Sequence, residues 1–80
     1  LLIQLLYTMK KIKKIKIKIN GKIKSIDQGY NLYKLVNKLN IPIKKVAIEH
    51  NREIIDKKKI KKIELKNDDI IEIVHFIGGG

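Results

Sequence analysis

The 80-residue chain has no cysteine and no tryptophan, and only one proline, one serine and one threonine. Without cysteine it cannot form disulfide staples, zinc knuckles, iron–sulfur ligation or a thiol nucleophile. Ser25 and Thr8, the only serine and threonine, have no histidine close in sequence to activate them. His50 and His75 show no metal-ligand spacing and read as strand or surface histidines. Asp68-Asp69 precede an apolar run and read as a polar turn rather than a catalytic carboxylate pair. The catalytic inventory is nearly empty, so the chain reads as a substrate for enzymes rather than as an enzyme.

Acidic residues are absent from positions 1–24, where eight lysines lie, and the whole chain carries a net charge of +11. A basic arm of this kind suggests nucleic acid or an anionic membrane surface. A competing reading is base composition: 18 Ile, 18 Lys and 6 Asn make 42 of the 80 residues types with A/T-rich codons. Aromatic residues for base stacking are few, namely Tyr7, Tyr30, Tyr33 and Phe76, and none lies among the lysines of residues 13–24. No nucleic-acid partner is therefore expected, and a basic RNA-binding module is the alternative from another class. The apolar stretch Leu1–Met9 is too short for a membrane span, which needs about 20 residues. Its lysines follow rather than precede it, unlike a secretory signal. Residues 1–11 are expected to be a disordered extension, with Met9 as an alternative start, and no membrane association is expected.

Length allows one small domain, which buries only about 60 % of its unfolded surface. From Lys14 to Ile19 lysine and isoleucine alternate strictly, which predicts a half-buried strand with a wet lysine face. Asn20-Gly21 then predicts a hairpin, because both residues tolerate positive φ. Alternation resumes with Ile23 in a second strand to about Ile26. Asn31 is the expected N-cap of a helix whose apolar stripe is Leu32, Leu35, Val36 and Leu39, ending at Asn40 and Pro42. Lys45–His50 predicts a third strand, Asn51-Arg52 a turn and Glu53–Ile55 a short fourth strand. Asp56–Lys62 is a lysine-rich connector anchored by Ile60 and Ile63, and Lys66–Asp69 a polar turn. Ile70–Phe76 is the most β-prone run and is expected to be central, being apolar at nearly every position. This order predicts an α+β roll: a mixed four- to five-stranded sheet with one main helix across one face.

The chain ends in Gly78-Gly79-Gly80 directly after that strand. Glycine lacks a Cβ and can thread a narrow channel in extended form, presenting the α-carboxylate to another protein's active site. A carboxylate is a poor acyl donor until it is activated, and adenylation by ATP is the general route. Alone, three glycines are also what a linker scar would leave.

The preceding residues add weight. Val46–Ile55 (VAIEHNREII), Lys66–Asp69 (KNDD) and Ile71–Gly80 (IEIVHFIGGG) together resemble the ThiS family, the sulfur carriers of thiamine biosynthesis. The hairpin at Asn20-Gly21 and the helix from Asn31 fit as well, so the resemblance covers about residues 12–80. Arg52 and Asp68 stand where the family commonly has glycine, and both concern turns.

The resemblance implies a ubiquitin-like β-grasp domain over 12–77 and a flexible tail over 78–80. Gly80 would be the modified residue, with Gly78 and Gly79 presenting it. A ThiF-type adenylyltransferase, using its own ATP and magnesium, would adenylate the Gly80 carboxylate. Sulfur from a cysteine desulfurase or relay protein would replace AMP. The resulting thiocarboxylate would serve thiazole synthase (ThiG). The carrier itself would bind no cofactor or metal. Related alternatives are the molybdopterin synthase small subunit, in which prolines commonly precede the tail, and a protein-conjugating ubiquitin-like modifier. The expected compartment is the cytoplasm, or the plastid stroma for an organelle-encoded chain.

Overall fold

A computed structural model of the chain describes residues 2–5 and 13–76. Residues 2–5 form one helical turn with exposed side chains. The remainder of the 1–11 extension and the 77–80 end, with Gly78, Gly79 and Gly80, lie outside the described residues. No helix among the described residues is long and apolar enough to cross a membrane.

Five strands form one sheet: β1 (Lys14–Ile19), β2 (Lys22–Asp27), β3 (Val46–His50), β4 (Glu53–Ile54) and β5 (Ile70–His75). Their spatial order is β2-β1-β5-β3-β4. The β1–β5 pairing is parallel and the other three are antiparallel, so the sheet is mixed. Helix α1 (Leu32–Lys38) and two 3-10 segments, Ile43–Lys45 and Lys57–Lys62, complete the domain.

The sheet has one covered face. Ile15 and Ile17 of β1, Ile26 of β2, Val46 and Ile48 of β3, and Ile71 and Ile73 of β5 point to it. They meet Leu32, Leu35 and Val36 of α1, with Ile60 and Leu65 sealing the side. The Asn31 side chain accepts from the Lys34 N–H at 2.8 Å and so caps α1 as its sequence predicts. Its amide also donates to the Lys61 carbonyl, tying the helix start to the second 3-10 segment. Ile60 is buried and Ile63 packs against the core, so both anchors of the connector hold.

The structure refines three expectations. Ile23 lies on the open face and is 68 % exposed, because a two-residue turn pairs Ile19 with Lys22 and Lys18 with Ile23. Directly paired residues share a face, so Ile23 must follow Lys18 outward. Lys45 ends a 3-10 segment instead of opening β3, and β4 stops at Ile54. β5 is central as expected, yet it buries one face only: Val74 is 56 % exposed on the other. Its position comes from pairing on both edges rather than from burial on both faces.

Candidate functional site: the outlet of the central strand

The region that bears on the terminal glycines is the end of β5, and interactions fix that strand along its whole length. At its start, Asn51 accepts from the Ile70 N–H through Oδ1 and donates its own backbone N–H to the Ile70 carbonyl, both at 2.8 Å. In its middle, Asn20 uses its side-chain amide as a substitute strand. Oδ1 accepts from Ile73 N–H at 2.8 Å and Nδ2 donates to Ile73 C=O at 3.2 Å. β1 has already turned away at that point, so Asn20 satisfies backbone groups that the ladder has left. At the outlet, Phe76 N–H donates to the Lys45 carbonyl at 2.9 Å.

Below β5, Asp69 is a buried hub. Its carboxylate accepts from His50 Nε2 at 2.8 Å, from Asn51 Nδ2 at 3.1 Å and from Lys66 N–H at 2.8 Å. Burial pushes this carboxyl up, and the bonds from His50, Lys66 and Asn51 outweigh it, leaving the pKa below the ordinary aspartate value. Asp68 instead adopts a left-handed φ of 70° and stays exposed. The polar-turn reading thus holds for the pair, but Asp69 is a structural centre that its sequence context did not reveal. Its partner lies 19 residues away, and no local spacing announces it.

His50 is therefore part of the fold's internal wiring, while His75 is exposed at the end of β5. Ser25 is exposed on β2 opposite Lys16, and Thr8 lies outside the described residues. Among the described residues no group of three histidines or carboxylates could hold a metal ion.

Around the outlet the surface is apolar and basic. Val74 and Phe76 are half-exposed, with Ile54 further along the sheet at 78 % exposure. Lys57 Nζ lies 5.3 Å from the centre of the Phe76 ring. On the open face Glu49 of β3 stands directly opposite Glu72 of β5, and Ala47 opposite Val74. Toward the other edge, Lys16, Lys18, Ile23, Asp68 and Ile70 line a groove of about 320 Å³. At the end of that edge the Lys14 ammonium hydrogen-bonds Asp27 and holds its carboxyl below the usual value. This arrangement presents the end of β5 beside an open, partly apolar sheet face.

Known proteins share both the sequence and the shape. The profile of the ThiS family matches residues 17–80. The Bacillus subtilis sulfur carrier protein ThiS is 48 % identical over 48 residues, covering 60 % of this chain and 64 % of that protein. A thiazole synthase from Magnetococcus marinus is 38 % identical over 66 residues, which is 82 % of this chain. The chain spans only 20 % of that thiazole synthase's length. The crystal structure of a thiamine biosynthesis protein (ThiS) from Geobacter metallireducens superposes with a TM-score of 0.73 at 26 % identity. That match covers 82 % of this chain and all of the other. Together with the mixed sheet and its crossing helix, this gives a β-grasp fold, and the chain belongs to the ThiS family.

Proposed function

We propose that the chain is a sulfur carrier whose cargo site is the carboxylate of Gly80. The observation that carries this reading is the run Ile71–Gly80: a central strand, pinned at both ends, is followed in the sequence by Phe76, Ile77 and three glycines. The match of the ThiS family through residue 80 supports it.

The chemistry balances with the active groups on partners. A carboxylate oxygen of Gly80 attacks the α-phosphorus of ATP on an adenylyltransferase, forming the acyl adenylate and releasing pyrophosphate. The terminal sulfur of a donor persulfide, from a cysteine desulfurase or relay protein, then attacks the acyl carbon, and AMP leaves. A second donor thiol takes the inner sulfur into a disulfide, which leaves a thiocarboxylate on Gly80. Because the carrier has no cysteine, both thiols belong to the donor. ATP and magnesium act in the adenylating partner.

Thiazole synthase is the proposed recipient. The thiazole synthase of Magnetococcus marinus contains, in one polypeptide, a segment similar to this chain, which supports a working association of the two. The carrier then acts as a co-substrate and not as a catalyst, in a cytosol or plastid stroma where ATP is supplied.

Intact-mass analysis tests the reading. After incubation with a cognate adenylyltransferase, ATP and a sulfur donor, one oxygen should be replaced by sulfur, with fragmentation placing it on Gly80. An unmodified mass under conditions that modify the Bacillus subtilis protein overturns it.

A further inference from the structure

We infer that Lys57 is a positioning residue for the tail, acting through Phe76. The inference rests on the carrier reading and extends it to a residue outside the glycine motif.

Lys57 opens the run Lys57–Lys62 (KKKIKK), in which the other four lysines are exposed and Lys57 alone is half-buried. A base-composition bias fills a solvated face with lysine but does not turn one ammonium inward. No carboxylate of the described residues lies within ion-pair distance of it. Its partners are two carbonyls and a ring: Nζ donates to Val46 O at 2.8 Å and to Ile43 O at 3.0 Å, and sits 5.3 Å from the Phe76 ring centre.

These partners form one assembly. On the outer edge of β3, the Ile55 N–H satisfies Ile48 O, but β4 does not reach Val46. Lys57 fills that gap. On the inner edge, Lys45 O accepts the N–H of Phe76. The segment Ile43–Val46 is thus clamped by the ammonium on one side and by the base of the tail on the other. Lys57 holds both the backbone against which Phe76 pairs and the ring of Phe76 itself. Phe76 is still 49 % exposed, so burial adds less to its placement than it does for the core residues of β5.

Fixing the point of departure matters for a tail that must enter another protein's site. Order already present in the free carrier is not lost on docking, and misplacement of a reacting group is costly in rate. Lys57 should therefore act on recognition of the carrier more than on turnover once it is bound.

The experiment uses the full chain with Lys57→Met, which keeps the stem and removes the charge, and Lys57→Arg, which keeps a donor. In the free protein, amide hydrogen exchange at Phe76 should accelerate about three- to tenfold in Lys57→Met while Ile48 and Ile71 stay protected. In ATP–pyrophosphate exchange by the adenylyltransferase, KM for the carrier should rise by a similar factor with kcat nearly unchanged, and Lys57→Arg should restore most of it. Phe76→Leu should raise KM likewise, and the double variant should be no worse than the larger single effect, since both changes remove one assembly.

A wild-type KM in folded Lys57→Met overturns the inference and leaves the carrier reading intact. So does a KM change accompanied by loss of protection across the core. A wild-type chain that is not adenylated at all overturns the carrier reading, and the positioning role with it. Should Lys57→Met fail to fold, Phe76→Leu and Lys57→Arg decide the matter: wild-type KM in Phe76→Leu, or no rescue by arginine, sinks the role.

Discussion

The Asp69 carboxylate lies 2.8 Å from Nε2 of His50, joining the turn before β5 to the end of β3. With Asn51 and the Lys66 N–H on the same carboxylate, this contact fixes where the central strand begins. Hydrogen bonds to the charged form hold the Asp69 pKa below its ordinary 3.8 despite burial. A depressed folded pKa adds stability that is complete above the unfolded value and is lost as pH falls through the folded value. Wild-type stability should therefore decline as pH is lowered from about 5 to 2. Asp69→Asn should lose about 1–3 kcal/mol at neutral pH and show a shallower acid decline, measured by urea unfolding at several pH values. Identical acid slopes in the two proteins would refute this role.

Asn20 serves both a turn and a ladder, and these separate experimentally. Its φ of 49° is left-handed, and its side chain pairs both backbone groups of Ile73. Asn20→Gly keeps the turn accessible and removes both bonds, so the loss should be about 1–2 kcal/mol, with faster amide exchange at Ile73. Unchanged protection at Ile73 would show that the side chain contributes nothing to the strand.

Two positions where the ThiS family commonly has glycine are strained in this chain. Arg52 has φ 72° and Asp68 φ 70°, both in the left-handed region. A side chain there costs roughly 1–2 kcal/mol, less for aspartate, which tolerates that region. Arg52→Gly should thus raise stability by up to about 1 kcal/mol after the added chain entropy of glycine, and Asp68→Gly by less. Chemical denaturation checks both, and a destabilised Arg52→Gly contradicts the argument.

For the tail, Gly79→Val tests slimness separately from folding. Its thermal midpoint should equal that of the wild type, while thiocarboxylate formation should fall about tenfold or more, since a displaced acyl group reacts poorly. Full retention of thiocarboxylate by mass spectrometry would count against passage through a narrow channel.

Local rules made much of the fold legible. The Lys/Ile alternation of β1, the Asn20-Gly21 turn, the Asn31 cap and the stripe through Leu32, Leu35 and Val36 depend on neighbours within a few residues. The central place of β5 was legible too, although its Val74 face is open. The outward direction of Ile23 was less so, because the parity of the turn overrides apolarity.

The sequence by itself determined which segments extend and where the helix starts, because each follows from backbone preference and short-range periodicity. Only the tertiary structure decided that Asp69 is buried against His50, that Asn20 completes β5, and that one lysine in a run of five turns inward beside Phe76. Those choices depend on which carbonyls, amides and charges are left without partners once the strands have paired, and that exists only after distant segments meet.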